Sequence, residues 1–477
     1  MKLLIDTILS RNVKVRAPKQ IKKFVNALRS GLSKEAAMRK TWDGQEASDR
    51  SQVMLQVRTN DFVIKSLLWE TDSSSEYKKA FKEGYRQMAA FKILRTLNLK
   101  RDAIKVAERA LKRAHKYQLT EVVLSLSIEL RQHYAATEAG KNYQYYREFC
   151  AEALSNYHGE LRAEEIYCEL VSHFANAQGI VSPAIIEKTE QYLVELAYIS
   201  QTVRTFRFMF LYYYIDVLHK QLTNSHIDII AVCQKALDYF QQFSFPLPVA
   251  SKFSFSFKAI PSHILLSDFS KIRANIAHTL SIIPEDTIND LVCYKYMVIG
   301  GFHHQQYDYA LEGIKLAARF KQKPEEWEVF EAYLHLLHLS GQIDYPIEKR
   351  IGKLMNEVPI LSRDKRGLYV NLLIIQTVHW LLKKEFGKII DRLDAMKVYQ
   401  SKHLNSSPFN QTRIRTFIRM LRKIGHCAFQ KEESIRQTES LLQELQASPL
   451  ADNWGNVDIE IFPLEELWKI VIAHLID

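Results

Sequence analysis

The sequence predicts an all-α protein, an α-solenoid of stacked antiparallel helix pairs with a small helical N-terminal lead-in. Three observations predict it. Glycine (15) and proline (12) are scarce for 477 residues, and no proline falls between Pro18 and Pro183, so a long stretch runs without the strongest helix breaker. One spacing of apolar and small residues, 3, 4 and 3 positions, recurs along the chain and fills one helical face each time. Helix-pair patterns also return roughly every 35 to 45 residues, which suits an array whose pairs bury their faces on their neighbours. With 47% apolar and 25% charged residues, the composition is ordinary for a globular protein with a large core.

Residues 1–75 form the basic helical lead-in. Ile21, Phe24, Val25 and Leu28 share a helical face, Ser33 is placed to cap a second helix, and Val53–Trp69 supplies a third. The polar run Thr71–Ser75 marks the boundary. Three short helices raise a helix-turn-helix DNA reader, but the Trp42–Arg50 connection is long and polar for its tight turn.

Residues 76–447 form the repeat array. The expected pairs are Tyr77–Leu97 with Arg101–Tyr117, Leu119–Ala136 with Asn142–Asn156, Leu161–Ala177 with Pro183–Ser200, and Val203–Lys220 with Ser225–Phe243. In the second pair Tyr143, Tyr146, Cys150 and Ala153 carry the 3, 4, 3 spacing, which returns at Phe269, Ile272, Ile276 and Thr279. Ser244–Ile264 breaks the pattern. Its Phe253-Ser254-Phe255-Ser256-Phe257 alternation has the period of an extended segment, although the span could instead start a helix, and the region is a candidate hinge.

The densest stretch is Tyr294–Ala317. Its first helix carries Tyr294, Met297, Val298 and Gly301, with a small residue where a partner helix must come close. After a polar turn at His304–Gln306, the second carries Tyr307, Ala310, Ile314 and Ala317, again at 3, 4 and 3. Glu325–Leu339, Ile347–Glu357, Asp364–Lys384 with Phe386–Gln400, and Thr412–Gln430 with Glu433–Gln446 complete the array. Residues 448–477 end in a capping helix, Leu464–Leu475.

These residues resemble the tetratricopeptide repeat, a 34-residue helix-turn-helix whose second helix has this aromatic, Ala, bulky, Ala pattern. Tyr294 and Val298 stand where that family prefers Trp and Gly, so the resemblance is to a divergent, TPR-like form. It covers roughly residues 76–447 and implies adaptor or scaffold work. No repeat carries the Asn/Lys/Arg set of the carboxylate-clamp subtype, so it does not imply capture of a peptide C-terminus.

The net charge is +11 and uneven. Residues 1–30 hold eight Lys/Arg against Asp6 alone. Two helical stripes are basic: Arg101, Lys105, Arg109, Lys112 and Lys116, and Arg415, Arg419 and Arg422, with Arg413 and Lys423 beside the latter. Such stripes could meet phosphates or be the solvated faces of amphipathic helices. Few aromatics interleave with them, so base stacking is not indicated.

The five cysteines are widely spaced, which argues for reduced thiols in a cytoplasmic protein rather than a disulfide framework or zinc site. The greasiest run, Phe206–Leu218, contains Arg207 and Asp216 and falls short of a membrane span. His335 and His338 lack the Glu of an HExxH zinc site, and their leucine-rich surroundings place at least one in the core. No phosphate-cradling glycine loop, GxSxG elbow or HRD-type loop occurs. The expectation is a non-enzymatic scaffold without cofactor or metal that binds a protein or peptide. The alternative is a nucleic-acid-associated protein or a peptide-sensing transcriptional regulator using the basic N-terminus and stripes.

Overall fold

The computed structural model describes residues 18–30, 32–42, 48–55, 57–59, 75–137, 140–176, 182–266, 268–283, 287–344, 368–401, 412–448 and 460–476. The helix expected over 347–357, most of the one over 53–69 and the basic residues before Pro18 lie outside them. Among the described residues the chain is all-α, and helices adjacent in sequence pack on each other. The chain divides into two units, residues 1–157 with 243–248, and residues 158–242 with 249–477.

In the first unit, α1 (Lys19–Arg29) and α2 (Lys34–Thr41) build a small core from Ile21, Phe24, Ala27, Ala37, Met38 and Leu55. The Ser33 hydroxyl accepts from the Ala36 N–H at 3.2 Å, the expected cap. Then come α3 (Glu76–Thr96), α4 (Lys100–Lys116), α5 (Thr120–Thr137) and the start of α6 (Lys141–Asn176). Ala103, Ala107, Ala110 and Ala114 are fully buried along α4 and let its neighbours approach. Segment 243–248 returns here, with Phe245 against Tyr117 and Tyr77 at ring separations of 5.6 and 6.0 Å.

The second unit continues from α6 through α7 (Pro183–Ile199), α8 (Phe206–Leu222), α9 (His226–Phe240), α10 (Val249–Leu266), α11 (Phe269–Ile282), α12 (Ile288–His303) and α13 (Tyr307–Ala317). It ends with α14 (Glu326–Leu339), α15 (Leu368–Leu382), α16 (Phe386–Tyr399), α17 (Thr412–His426), α18 (Lys431–Ala447) and α19 (Leu464–Ala473). Ser182, Thr205 and Asp268 each cap the helix that follows by accepting a backbone N–H. One continuous core runs from Ile260 to Leu475, centred on Phe302, Phe330, Tyr333, Phe417 and Phe462.

One connection recurs. At five places among the described residues, three residues join two helices and the middle one is left-handed: Asn98, Gln118, Asn224, Gln305 and Lys384, with φ of 58, 51, 54, 53 and 57°. Each time the third residue's N–H donates to the carbonyl five positions back: Leu99 to Leu94, Leu119 to Ala114, Ser225 to Lys220, Gln306 to Gly301 and Glu385 to Trp380, at 2.8–3.0 Å. This bond and the left-handed residue satisfy carbonyls that a helix end leaves open.

One expectation is corrected and one open alternative is decided. Asn142–Asn156 and Leu161–Ala177 are not separate helices but one 36-residue helix, α6. Gly159 lies inside it: an added Cβ would meet Val203 and Ile199 side chains at 3.0–3.2 Å, so the missing side chain serves close packing. Of the two readings of Phe253–Phe257, the helical one holds: the segment lies within α10. A helix also brings Phe253 and Phe257 together, stacked at 5.3 Å, while Phe255 is buried against Phe210, Tyr214 and Phe240.

Candidate functional site

Among the described residues the first basic stripe faces solvent. Lys and Arg are good helix formers, Asp102 in the first turn and Arg113, His115 and Lys116 in the last oppose the helix dipole, and the alanine face seats α4 in the core. Arg101, Lys105, Arg109, Lys112 and Lys116 all face solvent, joined by Lys100 and Arg113. None of the seven makes an ion pair with the described residues. Arg109 Nε donates to the Lys105 carbonyl at 3.2 Å, and Lys116 lies 5.3 Å from the centre of the Tyr117 ring. Of the helix's two acids, Glu108 accepts from the Tyr134 hydroxyl at 2.6 Å. By contrast, Arg162 bonds Glu195 and Glu165, and exposed Arg207 bonds Glu164.

The second stripe is not continuous. Arg419 is engaged by Glu444 at 3.1 Å, Lys423 donates to the Gln437 carbonyl, and Arg415 and Arg422 are half-buried. Arg413 is only 8% exposed and organises the C-terminal region. Its Nε donates to Glu460 Oε2 at 2.9 Å, and its Nη2 reaches both Glu465 oxygens at 2.7 Å. Nη1 donates to the carbonyls of Leu445 and Ser448 at the end of α18. Glu460 Oε1 in turn accepts from the Leu464 N–H and caps α19. This arginine is a structural clasp, and all four of its polar partners, Glu460, Glu465, Leu445 and Ser448, are residues that sequence reading did not connect to it. The one signal for it was that Arg413 falls off the 415, 419, 422 row.

The repeat-packing residues fall as follows. Ala310, Ile314 and Ala317 are buried and Tyr307 half-buried on α13. On α6, Cys150 and Ala153 are buried, Tyr143 is half-buried, and Tyr146 stacks on Tyr134 at 5.2 Å. A Cβ on Gly301 would sit 2.8 Å from the Ala310 nitrogen, the close approach the spacing implied.

Buried titratable groups cluster in the second unit. His335 is buried, while His338 bonds the Ile343 carbonyl. His335 Nε2 meets His379 Nδ1 at 3.2 Å, a partner 44 positions away. Burial pushes both down to about 4, helped by the nearby Lys383 charge. His303, bonded through Nε2 to the Glu460 carbonyl, is likewise pushed down to about 4 by burial. Burial pushes the Cys233 and Cys293 thiols up to about 12, so neither is a reactive thiolate. Among the described residues no three His, Cys, Asp or Glu side chains gather to hold a metal, and no helix is long and apolar enough to cross a membrane. No protein-family model matches the chain, and no curated protein or solved structure matches it.

Proposed function

We propose that this chain is a non-enzymatic scaffold, a TPR-like α-solenoid that binds a protein or peptide partner on the surface of its stacked helix pairs. The observation that carries this reading is the recurring three-residue turn, with one left-handed residue and one five-back hydrogen bond at five junctions. A repeated junction of this kind supports repeated helix pairs, and stacked pairs present extended surfaces suited to binding a polypeptide. The buried thiols and histidines, held in their neutral forms, support structural roles for these groups rather than acid–base or nucleophilic ones.

The test is affinity purification of the full chain from its native cell, with and without nuclease, followed by mass spectrometry. A stoichiometric protein that survives nuclease is the expected result. Turnover of a small molecule by the purified chain, with no retained protein partner, would remove the scaffold reading.

A further inference from the structure

We propose that the solvent face of α4 is a docking surface for the phosphate backbone of duplex nucleic acid, a function beyond and independent of the scaffold reading. Three observations carry it. First, Arg101, Lys105, Arg109, Lys112, Arg113 and Lys116 on that face form no ion pair with the described residues, whereas Arg162, Arg207 and Arg419 elsewhere on the chain are paired. Second, the charge is regional: residues 76–137 hold fourteen Lys/Arg against six Asp/Glu, a net +8 within a chain of net +11. The flanking α3 contributes exposed Lys78, Lys79 and Lys92 to this field. Third, every exposed residue of α4 is polar, because its apolar residues other than the half-buried Val106 are turned into the core.

The third point selects the partner. A protein interface draws its energy from buried aromatic or aliphatic anchors, and this face offers none. A membrane surface requires an apolar helix face to enter the interface, and that face of α4 is already covered by its own unit. Single-stranded nucleic acid is held by aromatic stacking, which the exposed face also lacks. What remains is an evenly charged polymer held by charge alone. The row Arg101, Lys105, Arg109, Lys112, Lys116 spans about 22 Å at 1.5 Å per residue, with neighbours about 4.5 to 6 Å apart. Duplex nucleic acid presents about one phosphate per 1.7 Å of axis, so each side chain of such a row can reach one. The contacts are to backbone and carry no sequence information.

The experiment measures binding of the full chain to a short labelled DNA duplex of arbitrary sequence, over roughly 50 to 200 mM salt. With five phosphates engaged, the logarithm of affinity should fall with the logarithm of salt at a slope of about −4 to −5. In K105Q/R109Q/K112Q the slope should shrink by about 3, with affinity at least about tenfold lower at low salt. Glutamine keeps helix propensity, and circular dichroism establishes that the variant is folded. As a readout on the unaltered chain, duplex should protect Lys105 and Lys112 from amine acylation. Unchanged affinity and slope in the folded variant, or unprotected lysines, would overturn the proposal. So would a polyglutamate peptide or anionic vesicles displacing the duplex from this face at equal charge concentration.

Discussion

Arg413 and Glu460 stand 47 positions apart in the chain yet share a nearly dry ion pair, with Glu465 as the second carboxylate and two α18 carbonyls closing the guanidinium fork. The bond ties α17 to the start of α19, and Glu460 passes the constraint on by capping that helix.

Removing one partner of such a pair leaves the other charge buried without compensation. Arg413→Ala should therefore destabilise the second unit by about 3 to 5 kcal/mol. Arg419→Ala, which removes an exposed pair with Glu444, should cost at most about 1 kcal/mol. Urea unfolding of both variants checks the contrast, and equal losses would mean that the clasp contributes no more than a surface pair.

Acid should weaken the fold through three histidines. His303, His335 and His379 sit at about 4 when folded, against an ordinary value of about 6.5. The unfolded chain thus binds more protons between those values, so stability falls as pH drops below about 6.5 and levels off below about 4. The groups bearing on the His335–His379 pair are Lys383, Lys388 and His338, which oppose protonation, and Glu385, which favours it. Each histidine should cost on the order of 2 kcal/mol across the window. His379→Gln should flatten the dependence of the urea midpoint on pH. An unchanged slope would place the acid sensitivity elsewhere.

The recurring turn gives a prediction of opposite sign. Gln118, Gln305 and Lys384 each hold a left-handed backbone that disfavours a Cβ. Glycine there relieves about 1 to 2 kcal/mol of strain and loses part of that to the greater freedom of the unfolded chain, for a net gain of about 0.5 to 1 kcal/mol. Gln305→Gly should therefore raise the melting temperature.

Four residues away, Gly301→Ala should lower the melting temperature, with a stability loss of about 1 to 3 kcal/mol, because the new methyl meets the Ala310 backbone at 2.8 Å. Calorimetry on the two variants tests both signs together.

What could be read from the sequence follows the range of the interactions. The α4 face depends on spacings within one helix, so Arg101 to Lys116 stood out and all five side chains face solvent. The α17 row has the same spacing, but its fate is set by Glu444, Glu460 and Glu465, which no local pattern connects to it. The pattern does not settle whether the chain turns between Asn156 and Leu161, because glycine serves both for turns and for close approach, and only Val203 and Ile199 decide which role Gly159 takes. The Phe-Ser alternation of 253–257 misled because five residues are too few to separate a period of 2 from the i, i+4 pairing of a helix. The recurring turn was hidden for another reason: its central residue is Asn, Gln, Asn, Gln or Lys, so what repeats is the backbone and not the letter.

That backbone repeat has a kinetic consequence. A turn of three residues brings the helices on either side together at the smallest loop-closure cost, so much of the chain's packing is local in sequence. Low contact order of this kind favours rapid folding in which helix hairpins form early and growth spreads from them. The slow steps should then belong to contacts that cannot form locally, among them the packing of Phe245 on Tyr77 and Tyr117, the bond of His303 to the Glu460 carbonyl and the capture of Glu460 and Glu465 by Arg413.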